Sequence, residues 1–100
     1  MRAVSIIVAG EPYLLDPEEA ASLAWLLRTL DAPEAPDIET AAMTAAVIVE
    51  DAARGGRAGT RMLTNEEERA VLSVLEQAAR AARLPPRLAR LHRALQLEHG

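Results

Sequence analysis

Val4-Ser5-Ile6-Ile7-Val8-Ala9-Gly10-Glu11-Pro12-Tyr13-Leu14-Leu15-Asp16-Pro17-Glu18-Glu19 encodes two strands, a turn and the start of a helix. Val4 to Val8 is apolar and rich in β-branched residues, Ala9-Gly10-Glu11-Pro12 reads as a turn, and Tyr13-Leu14-Leu15 returns as a second strand. A β-hairpin over residues 4–15 is therefore expected. Asp16 follows as an N-cap, Pro17 takes the first helical position, and Glu19 completes an acidic capping box. A helix over about 17–30 follows, with Ala20, Leu23, Ala24, Leu27 and Leu30 on one face.

Beyond it, Asp31-Ala32-Pro33-Glu34-Ala35-Pro36 reads as a linker, because each proline lacks a donor and disfavours helix in the residue before it. Asp37 caps a second helix over about 38–54, in which Ile38, Ala41, Ala42, Ala45, Val49 and Ala52 share an arc. Within it, residues 44–49 are also compatible with a strand, given Val47-Ile48-Val49, and the alanine density favours helix. The glycine-rich stretch from Gly55 to Arg61 reads as a flexible basic loop. Thr64 and Glu67 then form a capping box for a third helix over about 65–83, its core face made by Val71, Val74, Leu75, Ala78 and Ala82. Leu84-Pro85-Pro86 breaks that helix, and a fourth over about 86–97 lines up Leu84, Leu88, Leu91 and Leu95. The expected fold is a single α+β domain over residues 1–100, mostly α: an N-terminal hairpin and about four helices, the last two forming an αα corner.

Half of the 100 residues are hydrophobic, yet 21 of those are alanine, there is no phenylalanine, and Tyr13 and Trp25 are the only aromatics. A buried Leu or Val contributes roughly 1.5–3 kcal/mol and an alanine methyl far less. The 14 leucines, six valines and four isoleucines therefore carry most of the burial. A core this thin makes association with a partner a natural source of further burial. Without cysteine there is no disulfide framework, thiolate metal site or cysteine nucleophile. The opening residues lack the apolar stretch and cleavage region of a secretion signal, and no segment approaches the roughly 20 apolar residues that span a bilayer. A soluble cytoplasmic protein is expected.

The net charge of −4 conceals a polarity. Residues 1–53 carry two arginines against ten acids, whereas residues 54–100 carry nine arginines against five acids. The acids cluster as Glu18-Glu19, Glu50-Asp51 and Glu66 to Glu68, in first helical turns or on an exposed face, where capping and solvation account for them. His92 and His99 are seven residues apart, roughly 10.5 Å along a helix, too far to share a metal ion. His99 is expected to be mobile. No catalytic constellation, metal site or cofactor site is expected, and so no enzymatic activity.

Gly56-Arg57-Ala58-Gly59 resembles the GxxG loop of the KH nucleic-acid module, in which that loop joins two helices; the longer loop here, with no strand expected after it, departs from the pattern. Leu63-Thr64-Asn65-Glu66-Glu67 with Leu72 resembles the opening of helix-turn-helix units in bacterial regulators. Exposed backbone N–H groups of the glycine-rich loop and the arginines around it and on the last two helices make Arg57, Arg61, Arg83, Arg87, Arg90 and Arg93 candidate anion or nucleic-acid contacts. The acidic total, the Pro85-Pro86 turn and the scarcity of Asn, Gln and Ser on the last helix weigh against nucleic acid.

Trp25 falls outside the Leu23, Leu27 and Leu30 face and, with Leu26, makes its helix apolar almost all round, so that helix is covered on two sides or exposes a patch. Trp25 thus reads either as core against the hairpin or as an interface anchor, with Leu26 and Tyr13 beside it. The expected function is non-enzymatic protein–protein interaction, as a homodimer or a small subunit of a larger assembly, whose partner is a second copy or another protein. The alternative is a nucleic-acid-binding or transcription-regulatory domain; neither a membrane nor a small-molecule substrate is implied.

Overall fold

The hairpin and the capping boxes organise the chain. The computed structural model describes residues 4–8, 11–54, 60–86 and 88–99, with side chains omitted at 4, 8, 52, 60 and 61. Strands β1 (Val4–Val8) and β2 (Glu11–Leu15) pair antiparallel, with Ile6 opposite Tyr13 and Ile7 opposite Pro12. Glu11 and Pro12 thus belong to the strand and not to the turn. In the sheet order β2-β1-β3, β2 is an edge strand, where a residue with no N–H is tolerated at a position facing away from the ladder.

Helix α1 (Pro17–Arg28) starts as its sequence predicts: Glu19 N donates to Asp16 Oδ1 at 2.8 Å, and Asp16 N donates to Glu19 Oε1 at 2.9 Å. Helix α2 (Pro36–Ala53) begins at Pro36, which the sequence assigned to the linker; proline at a first helical position lacks only a donor that the helix would leave unpaired. Residues 44–49 are helical.

Strand β3 (Thr60–Met62) lies inside the stretch expected to be a loop, and it pairs parallel to β1 with Ile6 opposite Arg61 and Ile7 opposite Met62. Three residues carry too little alternation to announce a strand. Pairing with β1, a tertiary contact, makes it one. The Gly56–Gly59 motif itself lies outside the described residues, but it joins α2 to β3 and not two helices, so the KH arrangement is not formed.

Helix α3 (Asn65–Arg80) carries the expected capping box, with Thr64 N donating to Glu67 Oε1 at 2.8 Å. It ends three residues earlier than expected. Ala82 has φ 56°, Ala82 N donates to Ala79 O at 3.1 Å and Arg83 N donates to Ala78 O at 2.8 Å, which is a Schellman closure with alanine at the left-handed position. The expected core residue Ala82 is consequently exposed. Helix α4 (Leu88–His99) extends past its expected end, and His99, expected to be mobile, is held by Glu68 at the start of α3, with Nε2 and Oε1 2.8 Å apart.

The helices cover one face of the sheet. Ile6 and Leu15 are buried beneath them, together with Leu23, Leu27, Val49, Val71, Leu75, Leu88, Leu91 and Leu95. Helix α2 is central, packed against α1, α3, β1 and β3. Its buried Ala41, Ala42, Ala45, Ala46 and Ala53 let neighbouring backbones come close, which is how the alanine-rich composition closes a core.

Candidate interaction surfaces

On α1 the stripe formed by Ala20, Leu23, Ala24 and Leu27 faces the core, which turns Trp25 outward. Trp25 is 58% exposed, so it is not a core residue of the folded chain. Clefts open on both sides of its ring. One, of about 510 Å³, lies between α1 and the end of α2 and includes Ala21, Arg28, Glu50 and Arg54. Another, of about 430 Å³, lies between α1 and the α3–α4 connection and includes Ser22, Leu26, Arg83 and Pro85.

The first cleft has its own ion pair. Arg28 Nε donates to Glu50 Oε2 at 2.7 Å, and Arg28 Nη2 also meets Glu50 Oε1. The hydrogen bond from Arg28 holds the Glu50 carboxyl below the usual range against the opposing effect of burial, with the charges of Arg28 and Arg54 acting in the same direction as the hydrogen bond. The pairing raises the Arg28 guanidinium in turn.

Tyr13 belongs to a different surface. It packs partly on the core and lines a groove of about 310 Å³ with Ala89, Arg90, Arg93, Ala94 and Leu97 of α4. The Arg90 guanidinium carbon stands 5.9 Å from the centroid of the Tyr13 ring, within cation–π range. The Tyr13 hydroxyl donates to Glu11 Oε2 at 3.3 Å. Burial raises the Tyr13 hydroxyl above its ordinary value, the Glu11 charge and hydrogen bond add to that, and Arg90 opposes it.

The sequence-based set is therefore divided. Trp25 and Leu26 share one surface with Arg83, whereas Tyr13 shares another with Arg90 and Arg93. Arg57 and Arg87 lie outside the described residues, and only the backbone of Arg61 is described, in β3.

Among the described residues, five exposed apolar side chains escaped the sequence reading: Met43 and Val47 on α2, and the more exposed Leu14, Met62 and Leu97, at 71%, 76% and 84% exposure. Strand alternation places Leu14 and Met62 on the sheet face opposite the helices, with Ser5, Ile7 and Pro12. Adjacent leucines at 14 and 15 already required one of them to face outward.

Among the described residues, no three His, Asp or Glu side chains are placed to hold a metal ion, and no helix is long and apolar enough to cross a membrane. His92 Nε2 is buried without a hydrogen-bond partner, and His99 is occupied by Glu68. Comparison of the chain with protein-family models, with curated proteins and with solved structures finds no match.

Proposed function

We propose that this chain is a non-enzymatic protein–protein interaction module that joins a second copy of itself, or another subunit of an assembly, through the Trp25 face. The observation that carries the reading is a tryptophan 58% exposed between two clefts. Tryptophan buries roughly 150–250 Å² when covered, so closing over the free half of Trp25 contributes about 2–3 kcal/mol at ~25 cal/mol per Å². Central aromatic residues of this kind dominate interface energetics. The guanidiniums of Arg54 and Arg83 at the cleft margins suit the polar rim of an interface. A cytoplasmic setting accords with a chain that has no cysteine.

The nucleic-acid reading draws less support, because the described arginines are split between the Trp25 and Tyr13 surfaces. Light scattering across a concentration series tests the proposal, with emission as a second readout because Trp25 is the sole tryptophan. Association accompanied by a blue shift, both lost in Trp25→Ala, is the expected result. A Trp25→Ala chain that associates like the native one refutes the reading.

A further inference from the structure

We propose that the groove between β2 and α4 receives the acidic α1–α2 connector of a second copy of this chain. The groove lies on a different surface from Trp25, and the connector that fills it begins at Thr29, at the edge of a cleft beside Trp25.

The first argument is charge. Residues 29–53 contain six acids and no base, and residues 77–97 contain five arginines and no acid. Among the described residues, Asp31, Glu34 and Asp37 form no ion pair with Arg83, Arg90 or Arg93. Asp31, Glu34, Asp37, Arg90 and Arg93 are all exposed. Two copies can make the pairing that one copy does not, and complementary potentials of this kind set the register of an association.

The second argument is shape and preorganisation. The connector is held firmly: Leu30 and Ala32 are buried, Ala32 N donates to Glu39 Oε2 at 3.3 Å, and Ala35 N donates to Ala32 O at 2.9 Å. It therefore presents Asp31, Pro33 and Glu34 outward, beside exposed Pro36 and Asp37 of the first turn of α2, without further ordering, which lowers the entropic cost of docking. The groove offers the matching mixture, with two guanidiniums beside the apolar side chains of half-buried Ala94 and exposed Leu97.

A phosphate backbone fits this groove poorly. Leu97 offers phosphate nothing, whereas a proline ring covers it. Carboxylates interleaved with prolines fit better.

A charge swap tests the contact. Arg90→Glu/Arg93→Glu makes the groove acidic, and Asp31→Arg/Glu34→Arg makes the connector basic while leaving the first turn of α2 unaltered. All four positions are exposed, and circular dichroism checks that each variant folds. Sedimentation equilibrium is run on the native chain, on each variant alone and on their equimolar mixture, at low and high salt.

The expected result is native association that weakens with salt, a dissociation constant raised at least about tenfold in each variant alone, and recovery in the mixture. Three results overturn the proposal: a native chain that remains monomeric, an Arg90→Glu/Arg93→Glu variant that associates like the native chain, or a mixture that does not recover. Duplex DNA binding that disappears in Arg90→Glu/Arg93→Glu, with no self-association by the native chain, assigns the groove to nucleic acid instead. Trp25→Ala in the same series separates the two readings, since loss there with no response to charge reversal leaves the Trp25 face standing and removes this contact.

Discussion

Replacing Ala82 with glycine stabilises the protein. Ala82 is the one non-glycine with positive φ among the described residues, at 56°, and it occupies the left-handed position of the closure that ends α3. For an L-residue with a Cβ this conformation costs roughly 1–2 kcal/mol. Glycine relieves that cost and gives back part of it, about 0.5–1 kcal/mol, through greater freedom of the unfolded chain. The net gain is about 0.5–1 kcal/mol, and in a domain of this size that raises Tm by about 2–8 °C. Urea unfolding followed by helical circular dichroism and by Trp25 emission measures it. Ala21→Gly is the control: Ala21 is exposed in the interior of α1, and the same substitution there lowers stability by about 1 kcal/mol. Opposite signs at the two alanines are the signature of a left-handed cap. A loss of stability in Ala82→Gly refutes the strain assigned to the turn.

Trp25→Ala costs the monomer about 1.5–2.5 kcal/mol at ~25 cal/mol per Å², since more than half of the residue is already in water, whereas Leu23→Ala two residues earlier, fully buried, costs about 2–5 kcal/mol; a Trp25→Ala loss by urea unfolding that exceeds the Leu23→Ala loss contradicts the outward placement of Trp25. Thr64→Ala removes the oxygen that accepts from Glu67 N at 3.2 Å and lowers stability by about 1 kcal/mol in the same assay. Because Arg28 holds the Glu50 carboxyl lower in the folded than in the unfolded chain, the folded state binds fewer protons in the acid range. The contribution of Glu50 is complete above the ordinary carboxylate value and is lost as pH falls through the lowered folded value. Glu50→Gln therefore flattens the acid limb of the stability–pH curve slightly, and parallel curves for the two proteins contradict the pairing.

Much of the fold was legible because it is written in local chemistry. Asp16 with Glu19 and Thr64 with Glu67 mark helix starts that need no tertiary partner, and both capping boxes form as spaced. The buried faces of α1 and α3 follow from helical periodicity, Ala82 excepted. What escaped depends on contacts distant in sequence: β3 exists because β1 offers an edge, and its three residues signal nothing alone. Pro36 was assigned to a linker because two prolines lie close together, although one of them sits where a helix accepts it.

The candidate sites were harder to read, since a run of charge along the sequence does not say which face each charge occupies. Arg83, Arg90 and Arg93 look like one basic stripe when α3 and α4 are drawn as wheels. The chain between them decides otherwise. The left-handed turn at Ala82 takes the backbone off the α3 axis and sets Arg83, with Pro85, beside Trp25 of α1. Arg90 and Arg93 then follow on α4, where they face Tyr13 of the hairpin. No glycine marks that turn, so helix propensity alone carries α3 through Ala81 and Ala82 and keeps the arginines together. The same alanine that conceals the end of the helix conceals the separation of the two surfaces, and Ala82→Gly, by relieving the turn without redirecting it, should stabilise the fold and leave both surfaces where they are.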